Sequence, residues 1–323
     1  MNAPEAFAQI LHVATRHTAA AVLLFATVLM SSCSSRPDIP PWFDSIQRLP
    51  IHTASVHGHR LAYLDQGQGP PVILLHGFGG SIWQWENQQA ALSTRHRVVT
   101  LDLPGSGLSD KPGIDYSPTT LMEYLRGFMH ELELERATLV GNSMGAGLAI
   151  ALALTDPEKV DRLVLISGLP PRVEETLASP IMKRAVDLHV PVWLAEFGSW
   201  LFGSRPTETI LKEIVFDHSL LTPSVLDRSI RNRRAPGLIR SLMSLRDHLP
   251  QWESTFAPRL NTITHATLIL WGEEDRLFPP RVGKDIHMLI PGSTLRLIPR
   301  AGHIPQWERP DIVNGFILSF LES

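Results

Sequence analysis

A serine with a glycine two positions away on each side constrains this chain more than any other feature. The serine is Ser143, at the centre of residues 141–145, which read Gly-Asn-Ser-Met-Gly. An apolar run at 137–140 precedes this motif, and an apolar, helix-forming segment follows it at 148–154. Glycines at these positions let a strand and a helix approach each other closely around a sharp turn. The pattern therefore predicts a strand, a tight turn that exposes the serine hydroxyl, and a helix.

A serine at such a turn is a candidate nucleophile. Its hydroxyl attacks a carbonyl only if a base takes its proton and hydrogen-bond donors hold the oxyanion. The backbone N–H of Met144, the first residue on the helix side, would point toward that oxyanion. Because the five-residue pattern also occurs by chance in loops, the interpretation depends on partners elsewhere in the chain.

Two candidate partners for Ser143 stand just beyond predicted strands. Asp275 follows one apolar run, and His303 follows the last apolar run before the C-terminal helix pattern. The ends of parallel strands meet at one edge of a sheet, where active sites form, so these side chains are expected to converge. Glu273 and Glu274 share the loop of Asp275 and stay open as alternative acids that would orient the histidine.

The composition is that of a globular protein and excludes several functional classes. The 323 residues are 44% hydrophobic and 19% charged, which allows a substantial core. A formal net charge of −3 gives no basic excess for neutralising phosphates, so we expect no nucleic-acid partner. The single cysteine, Cys33, excludes an intramolecular disulfide and a cysteine-rich metal site.

The N-terminal region predicts an export signal. An apolar segment at 18–30 follows Arg16 and ends in small residues around Cys33. It is short for a membrane span of about 20 residues and fits a signal peptide better. Residues 30–33 resemble the lipobox of bacterial lipoproteins, although leucine is usual where Met30 stands. That resemblance implies a signal at residues 1–33, a lipid on Cys33 that binds the membrane, and a location in the cell envelope.

Other interpretations of this N-terminal region stay open. An ordinary cleaved signal, an uncleaved anchor and a wrongly assigned start codon would each give a similar pattern. Residues 34–48 contain several prolines and predict a tether between the membrane anchor and the folded body.

Apolar runs that alternate with helical patterns predict an α/β fold. The strand candidates are residues 51–56, 60–65, 72–76, 97–101, 137–140, 160–166, 267–271 and 294–298, and the clearest helical patterns are 118–134 and 311–321. The first two strands look like an antiparallel hairpin, whereas the others need crossover connections. We therefore expect a mostly parallel central sheet flanked by helices, built from residues 49–168 and 259–323.

Residues 169–258 predict a helical cap. The strand signal disappears there, and a connection of this length is too long to be structureless in a compact domain. Trp193, Phe197 and Trp200 would line an apolar pocket, pack the cap on the sheet, or do both. The cap is also rich in arginine, which favours solvated helix faces over contacts with an acidic substrate or a lipid headgroup. These arginines are Arg228, Arg231, Arg233, Arg234, Arg240 and Arg246.

The motifs together resemble the α/β-hydrolase family, in its branch of capped serine esterases and carbon–carbon-bond hydrolases. The resemblance extends from residue 51 to the C-terminus, and its motifs occur in the family's order. They are the serine turn at 141–145, His-Gly-Phe-Gly at 76–79, the turn-rich loop at 102–109, Trp-Gly-Glu-Glu-Asp-Arg at 271–276, and Gly-His at 302–303.

This resemblance implies a role for each site residue. Ser143 is the nucleophile, His303 the base, and Asp275, rather than the two neighbouring glutamates, orients the histidine. The backbone N–H groups of Phe78 and Met144 form the oxyanion hole. His76 and Asp102 are expected to stabilise the loops at 76–79 and 102–109 in which they lie.

The expected function is hydrolysis of carboxylic esters of small or medium apolar substrates through an acyl-enzyme, without a metal or organic cofactor. Cleavage of a carbon–carbon bond, as in meta-cleavage product hydrolases, is the alternative. Those enzymes usually carry a glycine-richer oxyanion loop and act inside the cell, which favours the ester. An alternative of another class is a ligand-binding or signalling protein on the same fold.

Overall fold

The computed structural model describes residues 50–202 and 204–323, and a sheet of eight strands forms the centre of this part of the chain. The strands are β1 (His52–Val56), β2 (His59–Gln66), β3 (Pro71–Leu75), β4 (Arg97–Leu101), β5 (Ala137–Asn142), β6 (Val160–Ile166), β7 (Thr267–Gly272) and β8 (Thr294–Ile298). Their order across the sheet is β1-β2-β4-β3-β5-β6-β7-β8. The pairs β1–β2 and β2–β4 are antiparallel, and the other neighbouring pairs are parallel. The predicted α/β fold with a mostly parallel sheet is therefore confirmed.

Helices connect the strands and cover both faces of the sheet. The helices before β6 are α1 (Glu86–Leu92), α2 (Pro118–Glu131) and α3 (Met144–Thr155). Between β6 and β7 lie α4 (Val173–Thr176), α5 (Pro180–Asp187), α6 (Val192–Phe202), α7 (Ser204–Ile214), α8 (Pro223–Arg233), α9 (Leu238–Asp247) and α10 (Leu249–Gln251). The last helices are α11 (Pro280–Leu289), α12 (Pro305–Glu308) and α13 (Pro310–Leu321). Shorter helical turns occur at Ile82–Trp85, Pro157–Lys159, His218–Leu220, Trp252–Phe256 and Ala257–Thr262.

The central strands have continuous apolar sequences because both of their faces are buried. Every residue of β5 and of β7 is buried. In β3, Ile73 and Leu75 join one hydrophobic cluster, whereas Val72 and Leu74 join a second cluster. Side chains alternate across a strand, so each of the two clusters lies on its own face of the sheet.

The turn between β5 and α3 has the geometry that its glycines predict. Ser143 has φ 52° and ψ −115°, a left-handed conformation that is costly for a residue with a side chain. A Cβ atom at Gly145 would collide with the carbonyl oxygen of Leu75, and one at Gly141 would collide with the backbone of Gly145 and Ala146. The turn therefore needs glycine at both positions so that strand and helix can meet.

The predicted signal peptide, the tether and Cys33 lie outside the described residues. Within the described ranges, no helix combines the length and the apolar character that crossing a bilayer requires.

The close approach at the serine turn gives a testable prediction about stability. Replacing Gly145 with alanine should lower the free energy of unfolding by about 1–3 kcal/mol, because the new methyl group meets fixed backbone atoms. Gly315→Ala is the matched control. It lies in α13 with open space around it, so the added helix propensity should stabilise by about 0.5–1 kcal/mol. Urea unfolding of both variants measures the difference, and equal stability of the two would contradict the packing argument.

Candidate active site

The three predicted catalytic side chains occur at the edge of the sheet where the parallel strands end. Ser143 stands between β5 and α3, Asp275 follows β7, and His303 follows β8. All three residues are buried, with exposed fractions of 6%, 4% and 4% respectively. The fold therefore places them at one edge of the sheet, as expected for strands that run in parallel.

Asp275 contacts His303 directly. Its Oδ2 atom lies 2.8 Å from Nδ1 of the imidazole, and its Oδ1 atom accepts hydrogen bonds from the N–H groups of Leu277 and Phe278. A carboxylate fixed in this way favours the tautomer with the proton on Nδ1, which leaves Nε2 able to accept a proton. Among the three acids of this loop, Asp275 is the one that meets the histidine.

The two neighbouring glutamates have other environments. Glu274 accepts a hydrogen bond from the N–H of Ala301 at 2.9 Å, and Glu273 is exposed to solvent. Glu274 thus stabilises the loop that leads to the histidine, and neither glutamate contacts the imidazole.

Ser143 and His303 line the same cavity of about 120 Å³. Within the described ranges their side chains do not form a hydrogen bond with each other. Hydrogen bonds between nucleophile and base are often long in an empty site and shorten when substrate binds. Their place in the wall of one cavity is compatible with proton transfer from the serine to the histidine.

Two backbone amides border the serine hydroxyl. Phe78 and Met144 line the larger cavity together with Ser143, and in the described part of the chain neither N–H donates a hydrogen bond to the protein. Gly77 lets the loop that contains Phe78 pass close to the serine, since a Cβ atom at Gly77 would lie 3.3 Å from Cβ of Ser143. Two unpaired donors beside one hydroxyl are what a tetrahedral oxyanion needs.

His76 and Asp102 hold the loops around these donors. The Nε2 atom of His76 accepts a hydrogen bond from the N–H of Leu103, so its Nδ1 atom donates to the carbonyl of Gly77. Burial lowers the pKa of this imidazole, which favours the neutral form that these two bonds require. Asp102 accepts the N–H groups of Ile82 and Leu108, each at 2.7 Å. Both residues therefore have the supporting positions that the sequence predicts for them.

The loop of His303 is fixed by residues that the sequence analysis did not single out. Asn142, next to the nucleophile, donates its side-chain N–H to the carbonyl of His303 at 3.1 Å. The N–H of His303 donates to the carbonyl of Ile214, at the end of α7, at 2.7 Å. Glu308 accepts the N–H of Gly302 at 2.7 Å on one oxygen.

Glu308 also joins this loop to the cap. Its second oxygen accepts the N–H groups of Phe216 and Asp217, which follow α7 directly. Burial raises the pKa of this carboxyl, while the backbone N–H groups around it act in the opposite direction. The only sequence signal for Glu308 is its place five residues after the histidine.

Two cavities meet at Ser143. The larger one measures about 590 Å³, and its walls come mainly from apolar side chains of α3 and of the helices between β6 and β7. The smaller one, with the polar side chains of Gln84, Asn142, Ser229 and Asn232 in its wall, lies on the side of His303. Phe78 and Arg233 line both cavities. Ser143 therefore stands between a large apolar space and a smaller one whose wall also contains polar side chains.

Arg233 is a cation without a charge partner in the described part of the chain. Its Nε atom is buried and has no hydrogen-bond partner there, and burial lowers the pKa of the guanidinium. Most of the other cap arginines are paired. The ion pairs are Arg228 with Glu86, Arg231 with Asp227, Arg240 with Glu196 and Arg246 with Asp247. Arg233 is thus available to an anion that enters the site.

No group of three or more histidine, cysteine, aspartate or glutamate side chains in the described ranges has the arrangement of a metal site.

Residues 70–310 match the sequence profile of a family described as alpha/beta hydrolase fold. The chain belongs to this family, and it is a hydrolase of the α/β-hydrolase superfamily. It is 30% identical over 280 residues to 2-hydroxy-6-oxo-6-phenylhexa-2,4-dienoate hydrolase of Burkholderia cepacia, across 84% of this chain and 94% of that protein.

Solved structures show the same fold. The meta-cleavage product hydrolase of Pseudomonas fluorescens, in a variant complexed with acetates, superposes with a TM-score of 0.73 and 27% identity over 85% of this chain and 98% of that one. A carboxylesterase of Bacillus subtilis has a TM-score of 0.72 and 24% identity over 87% and 95% of the two chains, a likeness in fold alone.

The contact between Asp275 and His303 gives a prediction about the acid. Asp275→Asn should lower kcat by about 10⁴-fold, because an amide favours the wrong histidine tautomer and cannot stabilise the imidazolium. Glu273→Gln removes a charge from the same loop at an exposed position and should change kcat by no more than about twofold. Steady-state kinetics of the two variants test the assignment, and a large loss in Glu273→Gln with little effect in Asp275→Asn would reverse it.

Proposed function

We propose that this hydrolase cleaves the carbon–carbon bond beside a ketone in an acidic, conjugated substrate of the meta-cleavage product type. The observation that carries the proposal is Arg233, an unpaired cation in the wall of both cavities that Ser143 lines. The similarity to dienoate hydrolases over most of both chains supports the same chemistry. Carbon–carbon-bond cleavage thus replaces hydrolysis of a simple ester, which the sequence alone favours, as the first candidate.

Arg233 is half-buried, and a guanidinium that is partly shielded from water is costly unless an anion joins it. Removing a charge from water carries a penalty of several kcal/mol, which a carboxylate can offset through charge-assisted hydrogen bonds. A dienoate carries such a carboxylate a few bonds from the ketone that is attacked. The small cavity would receive this acidic end near Arg233, and the large cavity would receive the acyl end.

The chemistry then follows from the positions of the side chains. Ser143 Oγ forms a bond to the ketone carbon, and its proton passes to His303. The N–H groups of Phe78 and Met144 stabilise the oxyanion. For the leaving group to be stabilised, the substrate first tautomerises: the 2-hydroxyl proton is lost and a proton is added to the carbon next to the ketone, which gives the 2-oxo form. Collapse then breaks the bond between the ketone carbon and that saturated carbon, the electron pair spreads over the resulting dienolate, and protonated His303 returns its proton to this leaving group. Water activated by His303 hydrolyses the acyl-enzyme, which releases a carboxylic acid and restores the serine.

Arg233 gives the sharpest test of the proposed substrate. Arg233→Gln should lower kcat/KM for 2-hydroxy-6-oxo-6-phenylhexa-2,4-dienoate roughly 10- to 100-fold, which is the value of a hydrogen bond to a charged group. The decrease in kcat/KM for a neutral p-nitrophenyl ester should be much smaller. Arg234→Gln, one residue further along and exposed, is the control and should behave as the parent protein does. Equal losses on acid and ester in Arg233→Gln would contradict a carboxylate partner.

Hydrolysis of a carboxylic ester is the second candidate, and the size of the large cavity favours it. A cavity of about 150 Å³ already holds a benzene ring, whereas this one measures about 590 Å³. Its apolar wall suits a long acyl chain. Both functions use the same nucleophile and base, so the comparison that separates them is one between substrates. Kinetics on the dienoate and on p-nitrophenyl esters of increasing acyl length make that comparison.

Either function requires the serine. Ser143→Ala should lower turnover by roughly 10⁴-fold or more and abolish covalent labelling by a fluorophosphonate. Circular dichroism checks that the variant is folded. Binding of substrate by the parent protein without turnover or labelling would instead favour the ligand-binding or signalling alternative.

We also propose that the mature protein is held in the cell envelope by a lipid on Cys33. The support is the sequence at 18–33, since these residues lie outside the described ranges. Cys33→Ala should move the protein from the membrane fraction to the soluble fraction. Unchanged fractionation would contradict the lipid anchor.

A further inference from the structure

Helix α6 (Val192–Phe202) exposes an unusual amount of apolar surface. Trp193, Phe197, Trp200 and Leu201 are 68%, 52%, 67% and 49% exposed. Their spacing of four, three and one residues places them on one side of the helix. The rings of Phe197 and Trp200 lie 6.0 Å apart, so the side chains form a continuous aromatic surface. We call these four residues the outer face of α6.

The opposite side of α6 belongs to the large cavity. Leu194, Ala195, Gly198, Ser199 and Phe202 all line it. One helix therefore separates the apolar space in front of Ser143 from the outer face. Whatever covers the outer face lies one helix diameter, about 10 Å, from the substrate cavity.

Contiguous apolar surface of this kind is uncommon on a protein face that contacts only water. Tryptophan and phenylalanine on one face of a short helix are typical of segments that lie in the headgroup region of a bilayer. Lys183 and Arg184 precede α6 and Arg205 follows it, and all three are exposed. Cations beside an aromatic face add attraction to anionic lipid.

The rest of the chain favours a membrane as the partner. Residues 1–49 lie outside the described ranges and include the apolar segment at 18–30 and Cys33, for which we propose a lipid anchor. The tether at 34–48 has 15 residues, which reach about 50 Å when extended. A body on such a tether stays within reach of the bilayer and can present any of its faces to it.

We propose that the outer face of α6 docks on the lipid bilayer and that the large cavity receives the apolar acyl end of its substrate from that side. Docking removes the aromatic side chains from water. It also places the cavity wall formed by Leu194, Ala195 and Phe202 one helix diameter from the phase in which an apolar acyl group is concentrated. The inference extends the proposed function to the source of the substrate and holds for either bond that the enzyme cleaves.

A single-cysteine label tests the contact without measuring catalysis. Phe197→Cys is made in the lipid-anchored protein, in which the proposed lipid blocks the Cys33 thiol. The new thiol carries an environment-sensitive nitrobenzoxadiazole dye, and the protein is reconstituted into vesicles of phosphatidylcholine and phosphatidylglycerol. Met288→Cys is the matched control, because Met288 is an apolar residue that is 75% exposed in α11. Bromine-labelled lipids then report which dye enters the bilayer.

We expect quenching by brominated lipid to be at least threefold stronger at position 197 than at position 288. Adding Trp193→Ser and Trp200→Ser should reduce the quenching at 197 to that at 288. Vesicle-bound protein with equal quenching at both positions would overturn the proposal. A dye at 197 that is shielded before lipid is added, in protein of doubled mass, would also overturn it, because a second copy of the chain then covers the face.

Discussion

The orientation of His303 depends on hydrogen bonds from four separate parts of the chain. Asp275 fixes the imidazole, Asn142 holds the carbonyl of His303, and Ile214 accepts its N–H. Glu308 holds the preceding glycine. A base must lie within a few tenths of an ångström of its productive position, and a loop alone would not keep it there. The sheet, the serine turn and the cap therefore position the histidine together.

The division of the site between two cavities explains how one catalytic centre can serve different substrates. The serine, the histidine and the proposed oxyanion donors come from the sheet edge, and in the proposed reactions they act on either type of carbonyl. Arg233 and the apolar walls come largely from the helices between β6 and β7. In the proposed function, selection between an acidic ketone and a neutral ester thus belongs to side chains that take no part in bond cleavage.

Local sequence patterns predicted much of the fold, because buried parallel strands and a glycine-flanked turn each leave a signal within a few residues. The confirmed sheet and the position of Ser143 at its edge are of this kind. The role of Arg233 could not be predicted in this way. Six arginines look alike in the cap sequence, and the partner of Arg228 is Glu86, 142 residues away. Only the folded chain shows which unpaired cation lies in the wall of the cavities.

The hydrogen bond between Ile214 and His303 limits how freely this cap can be exchanged during evolution or design. A cap that only shaped the substrate space could be replaced by a foreign one joined at the same two strand ends. Here the carbonyl of Ile214, the last residue of α7, also accepts a hydrogen bond from the backbone N–H of His303. A transplanted cap would have to present a carbonyl at that point, so caps and base loops of such enzymes should be inherited as matched pairs.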